Sequence, residues 1–294
     1  MEPITPLPSK HGQDPDIVAL GERLFHDVRL SHGQQTSCAS CHILEQAGVD
    51  GLAKSYGLDE YTTLFNTPTV FNSRYNLYQY WDGRAETLEG QIRMVIANPK
   101  EMDGDWNEIL NILHRDPSYI SQFSQSYEKG LTQESIVDAL VVYIRSLITP
   151  DAPFDRYLKG DQNAITEDAK QGYALFKGYG CSACHQGVNI GGNLFQQLGV
   201  MENYFEKRGK WDQSDLGRYV HSQKDKDRFV FKVPSLRNVA RTGPYLHDGS
   251  VEKLDKAIRI MGRYQLGRSL KDDEVLKIER FLESLTGSYQ GVPL

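Results

Sequence analysis

All four cysteines of this 294-residue chain lie in two copies of one pattern, CASCH at residues 38–42 and CSACH at residues 181–185. No other feature constrains the fold as much, because C-x-x-C-H is the attachment pattern of c-type haem. Two thiols separated by two residues reach one porphyrin through its vinyl groups, and the next histidine supplies an axial ligand to the iron. A structural zinc site or a thioredoxin-like dithiol would be the rival uses. Zinc could take four thiolates from the two motifs, but it gives no reason for a histidine after each second cysteine. Four cysteines are also too sparse for a disulfide framework.

Two covalent haems are therefore expected. Cys38 and Cys41 anchor the first, with His42 as proximal ligand; Cys181 and Cys184 anchor the second, with His185. Covalent haem is attached outside the bacterial cytoplasm, so a periplasmic location is expected. The polar, proline-rich MEPITPLPSKHGQ is not a signal peptide as it stands, and an exported chain would be a mature form whose leader has been removed. With 33 Lys and Arg against 39 Asp and Glu, and no basic run, nucleic acid is not an expected partner. No stretch approaches the roughly 20 apolar residues of a spanning helix, so membrane insertion is not expected either.

The surroundings of the motifs repeat. G-x-x-L-F precedes each one, as Gly21, Leu24 and Phe25 and as Gly172, Leu175 and Phe176. Helix-start signals stand before both, Asp14 with Pro15, and Thr166 with Glu167 and Asp168. Downstream, SIVDALVVYIRSL and DEVLKIERFLESL place apolar residues at helical spacing and end alike, at Tyr143–Leu147 and Phe281–Leu285. Each half reads as helix, haem motif, insertion and closing helix. The expected fold is mainly α, with two cytochrome c-like domains at residues 12–150 and 151–294 joined near Pro150. Long irregular insertions are expected at 43–130 and 186–268.

The sixth iron ligand separates an electron carrier, which closes the site with methionine or histidine, from a peroxidase, which leaves it open. In the second half Met201 and Met261 are the candidates, and Met261 lies just before the closing helix, where a cytochrome c domain supplies its thioether. In the first half NPKEMDGDW leaves two readings. Met102 closes the iron, or Glu101 stands over an open one as an acid–base group.

NTPTVFNSRYNLYQYWDGRAETLEGQ at 66–91, followed by Glu101 and Met102, resembles the bacterial di-haem cytochrome c peroxidases. So do RLSHGQQTSCASCH, VFKVPSLRNVARTGPYLHDGS and IMGRYQL, in the same order over nearly the whole chain. The resemblance implies that the haem on His42 reacts with hydrogen peroxide, with Glu101 as catalytic acid–base group and Gln91 in its pocket. It implies that Met261 is the axial ligand of the haem on His185, and that Trp81 relays electrons between the two. Asn66, Thr242 and Pro244 match positions that hold a calcium ion, through one amide and two carbonyl oxygens. A small electron donor, a cytochrome c or a cupredoxin, and a homodimer are implied as well.

One position departs from the family pattern. A histidine following a glycine in the loop after the first haem normally occupies the iron until the second haem is reduced. In GLAKSYGLDEYTTLFN that place is held by Leu58, after Gly57. Leucine cannot bind iron, so the first haem is expected to be open without reductive activation, unless Tyr56, Tyr61, His26 or His32 substitutes. The MauG-like branch, which oxidises a protein substrate, replaces the methionine with tyrosine; retention of Met261 favours a peroxidase. A MauG-like oxidase and a non-catalytic di-haem carrier remain the alternatives.

Overall fold

The computed structural model describes residues 2–58 and 61–294. Asp14 accepts the amides of Asp16 and Ile17, and with Pro15 in the first helical position it starts α1 (Pro15–Phe25). The short α2 (Cys38–Cys41) carries the first haem motif. Three helices then occupy the stretch expected to be irregular: α3 (Leu88–Ile96), α4 (Trp106–Leu113) and α5 (Pro117–Ser126). Each has its own start signal. Thr87 accepts the Gly90 amide, Asp105 those of Asn107 and Glu108, and Asp116 that of Ser118, with Pro117 at the first position. The helix α6 (Gln133–Ser146) closes this half.

The second half repeats the plan. After α7 (Pro153–Leu158), Thr166 caps α8 (Glu167–Gly178), and the second haem motif follows in a single tight turn. The insertion holds β1 (Phe195–Gln197), α9 (Tyr204–Arg208), α10 (Tyr219–Ser222), β2 (Val230–Lys232) and α11 (Leu254–Ile260). Strands β1 and β2 pair antiparallel, with Phe195 opposite Lys232. The closing helix is α12 (Asp272–Glu283), and a small hairpin of β3 (Ser288–Tyr289) and β4 (Val292–Pro293) ends the chain. The fold is mainly helical, with little sheet, and no described helix is long and apolar enough to cross a membrane.

The repeated glycine now has a physical reason. Helix α1 packs along α6, and α8 packs along α12. A Cβ on Gly21 would collide with the Ala139 carbonyl, and one on Gly172 with the Lys277 carbonyl. Glycine is what lets each opening helix touch the backbone of its closing helix. Gly172→Ala is therefore expected to destabilise by about 1–3 kcal/mol through overpacking. Gly178→Ala, on the same helix but with open space around it, should be neutral or stabilising. Urea midpoints of the two variants check this, and equal shifts would contradict it.

Three clusters of buried side chains form the core. The first draws on residues between Leu20 and Leu147, and the second on Ile4 and residues between Phe154 and Leu285. The third joins Phe65 to Leu198, Tyr204, Phe205 and Phe231, with Trp81 and Met261 packed against it. Residues from both halves of the sequence thus meet at the cluster that carries the tryptophan and the methionine.

Candidate haem centres

The two histidines are held alike. In each half the phenylalanine of G-x-x-L-F stands beside the motif histidine: Phe25 and His42, and Phe176 and His185, both with ring centroids 6.5 Å apart. His42 Nδ1 lies 3.1 Å from the Gly48 carbonyl, and His185 Nδ1 lies 3.4 Å from the Ile190 carbonyl. A carbonyl only accepts, so Nδ1 carries the proton and Nε2 keeps its lone pair for a metal. Burial pulls both imidazoles below the usual range, His185 to about 4, so both stay neutral as ligation requires.

The cysteines do not suit the rival chemistries. Burial pushes the Cys38 thiol up to about 12 and those of Cys41 and Cys181 to about 11, the opposite of a redox-active dithiol. Among the described residues, the one cluster of three metal-ligating side chains is Asp215, His247 and Asp248, so the four cysteines do not converge on one ion. That cluster already holds a cation: the Arg208 guanidinium lies 2.5 Å from Asp215 and 2.6 Å from Asp248.

A cavity of about 420 Å³ opens beside the second motif. Cys181, Cys184 and His185 line it together with Met261. Met261 begins a single π turn, Met261–Gln265, that widens the end of α11, a distortion frequent at functional sites. Met201 is 62% exposed. This mostly apolar space, with free cysteines, a neutral histidine and a thioether, fits a covalently held haem. Asn66, Thr242, Pro244 and Trp81 line the same cavity. Asn66 donates Nδ2 to the Leu52 carbonyl at 2.8 Å, which leaves Oδ1 as an acceptor, and its own carbonyl receives Trp81 Nε1 at 2.9 Å.

Near the first motif, the loop QYWDGRA is closed by a bridge between Gln79 and Ala85. It forces Tyr80 to φ 64°, a strained value for a bulky residue and one that concentrates at functional sites. Buried Asp82 anchors Arg84 at 3.0 Å, and the guanidinium sits 3.4 Å from the Tyr80 ring centroid. The Tyr80 hydroxyl donates to the Gln91 carbonyl on α3 at 3.3 Å. Glu101 lies in the turn before α4, close enough for its charge to act on Tyr80. Burial raises its carboxyl above the usual range, while the Arg84 charge and Asn98 oppose that rise. Its charge, with that of Asp50, also reaches the Cys41 thiol, so Glu101 lies on the first haem motif's side. Met102 is buried in the first core.

The loop bearing Leu58 folds over this turn. Gly57 donates to the Tyr61 carbonyl at 2.7 Å and Thr63 to that of Ser55 at 2.9 Å. A side chain on Gly57 would strike the Lys100 carbonyl, so Gly57 lies directly on the Lys100–Glu101 backbone. Leu58 is buried, whereas Tyr56, Tyr61, His26 and His32 are exposed. Tyr80 and Arg84 were missed as site residues, although both belong to the quoted YWDGRA motif.

Together these features define a class: a mainly helical chain with two half-buried motif histidines, a methionine beside one and a half-buried glutamate near the other. The model of the di-haem cytochrome c peroxidase family matches residues 15–163, and this chain belongs to that family. It is 44% identical to cytochrome c peroxidase Ccp of Escherichia coli over 98% of its own length and 62% of that protein's. To cytochrome c551 peroxidase of Nitrosomonas europaea it is 41% identical, over 97% of this chain and 84% of the relative. Among solved structures it matches a MauG-like protein associated with microbial copper homeostasis with a TM-score of 0.85 and 26% identity, covering 98% of this chain and 93% of that one.

Proposed function

We propose that this protein reduces hydrogen peroxide to water with electrons from a small redox protein, and that its first haem centre is open in the oxidised state. The observation that carries the reading is the half-buried Glu101 within reach of the Arg84 charge on the side of the first haem motif, with Leu58, not a histidine, buried in the loop that lies against it. Cys38, Cys41 and His42 hold one c-type haem; Cys181, Cys184, His185 and Met261 hold the other, one in each of the domains 12–150 and 151–294. When bound, the haems supply the redox chemistry, and the chain supplies proton delivery, orientation and the electron path.

The Glu101 carboxylate takes a proton from the incoming peroxide and returns it to the departing oxygen, which leaves as water. Two electrons and two further protons complete the conversion of one peroxide to two waters. Burial raises the Glu101 carboxyl and the Arg84 charge opposes that rise, Arg84 being itself fixed by Asp82. Gln91 orients the peroxide in a preorganised polar pocket. Electrons from a cytochrome c or cupredoxin enter at the C-terminal half and cross at Trp81, whose indole is pinned by Asn66. Asn66, Thr242 and Pro244 offer the neutral oxygen donors that calcium accepts. A periplasmic location and a homodimer follow from the same family reading.

Steady-state turnover of peroxide against a reduced cytochrome c or cupredoxin, started from fully oxidised protein with and without prior half-reduction, tests this. Equal initial rates are expected. Leu58→His should lower the rate of the oxidised start by about tenfold or more and restore it on half-reduction, as a ligand that must be displaced would. Wild-type protein that is inert until half-reduced would overturn the open-site reading.

A further inference from the structure

Lys232 ends β2, opposite Phe195, and lines the cavity shared by His185 and Met261. It is 7% exposed. Among the described residues no hydrogen bond or ion pair reaches its ammonium group, and burial pushes its pKa down to about 8. Of the described side chains lining the cavity, it is the one lysine or arginine, and none is aspartate or glutamate. An ammonium in a largely apolar enclosure without a counter-charge is strongly unfavourable. A methionine or glutamine at the same strand position would avoid the penalty. The compensating anion must therefore come from what the cavity binds.

We propose that Lys232 is the counter-ion of a propionate of the C-terminal haem and raises that haem's reduction potential. The inference rests on the reading of this cavity as a haem site. Propionates are the anionic groups a haem brings, and the reduced haem carries one positive charge fewer than the oxidised one. A fixed cation beside it therefore favours reduction. The Lys232 amide also donates to the Trp81 carbonyl at 2.8 Å, so the residue that carries the charge also holds the backbone of the proposed relay. Lys232 acts here as a tuning residue for the electron-accepting half.

Spectroelectrochemical titration of the haem-loaded wild type, K232M and K232R, with haem content at each motif read by mass spectrometry, tests the proposal. K232M should shift the redox equilibrium of the second haem toward the oxidised form by tenfold or more, about 59 mV per tenfold in a one-electron couple. K232R should stay within about threefold of wild type, and the first haem should be unmoved in both. A K232M equilibrium within about threefold of wild type, or equal shifts in K232M and K232R, overturns the proposal while the haem reading stands. If K232M alone fails to take up the second haem, the charge is required and the proposal holds; if K232R fails too, it falls. A potential that follows inorganic phosphate in the wild type but not in K232M assigns the partner to a free anion and overturns the propionate. Wild-type protein without haem on Cys181 and Cys184 would overturn the cavity reading itself.

Discussion

Glu101→Gln should lower steady-state peroxide turnover by about a hundred- to ten-thousand-fold, the usual range for losing a positioned acid–base group. Both haems should remain attached, because the substitution keeps the shape of the side chain and Glu101 lies outside both motifs. The pH profile gives a second reading. Burial raises the Glu101 carboxyl above the ordinary carboxylate range, so it holds its proton to a higher pH than a surface glutamate would. The base form is the one that accepts the peroxide proton, so kcat/KM should rise with pH through that raised value. Arg84 opposes the rise, so Arg84→Met should move the acid limb to higher pH with the haems still bound. Undiminished turnover in E101Q would place proton transfer elsewhere, and a limb displaced to lower pH in R84M would break the proposed link between the two residues.

What the sequence made visible was local in character. The capped starts at Asp14 and Thr166 and the two closing helices are patterns within a dozen residues, and each forms as read. The G-x-x-L-F repeat is visible in the sequence, but its meaning is not. Only the packed structure shows Gly21 and Gly172 at helix crossings and Phe25 and Phe176 beside the histidines. The insertion at 43–130 is expected to be irregular, yet Asp105 and Asp116–Pro117 are helix starts for α4 and α5.

Other features could not have been found by local reading. Lys232 stands between Phe231 and Val233, where strand alternation makes a lysine look solvated, and only the fold turns that position into a cavity wall. Arg84 looks like any arginine two residues after an aspartate until Tyr80, at positive φ, brings its ring under the guanidinium. The choice between Glu101 and Met102 was open in sequence because neighbouring residues point different ways. The structure buries Met102 in the first core, while Glu101 remains near Arg84.

The longest-range device of the second half gives the largest expected loss of stability. Asp155 on α7 and Arg237 are both essentially sealed from solvent, with Nη1 at 2.7 Å and 2.8 Å from the two carboxylate oxygens. The same guanidinium donates through Nε to the Val188 carbonyl and through Nη2 to that of Thr5, each at 3.0 Å. One side chain thus joins the N-terminal segment, α7 and the loop that follows His185. Arg237→Met removes all of these bonds and strands a buried carboxylate, which should cost about 3–5 kcal/mol. For a chain of this size that is a fall in Tm on the order of 10 °C. Asp155→Leu should cost less, because the guanidinium keeps two backbone acceptors. Asp155→Leu combined with Arg237→Met should recover part of the loss, since a buried ion pair replaced on both sides by apolar groups leaves no orphaned charge. Urea titrations of the haem-loaded variants measure the cycle. Additive losses in the double variant would mean that the arginine acts through its carbonyl contacts alone, and that the carboxylate beside it carries no coupled energy.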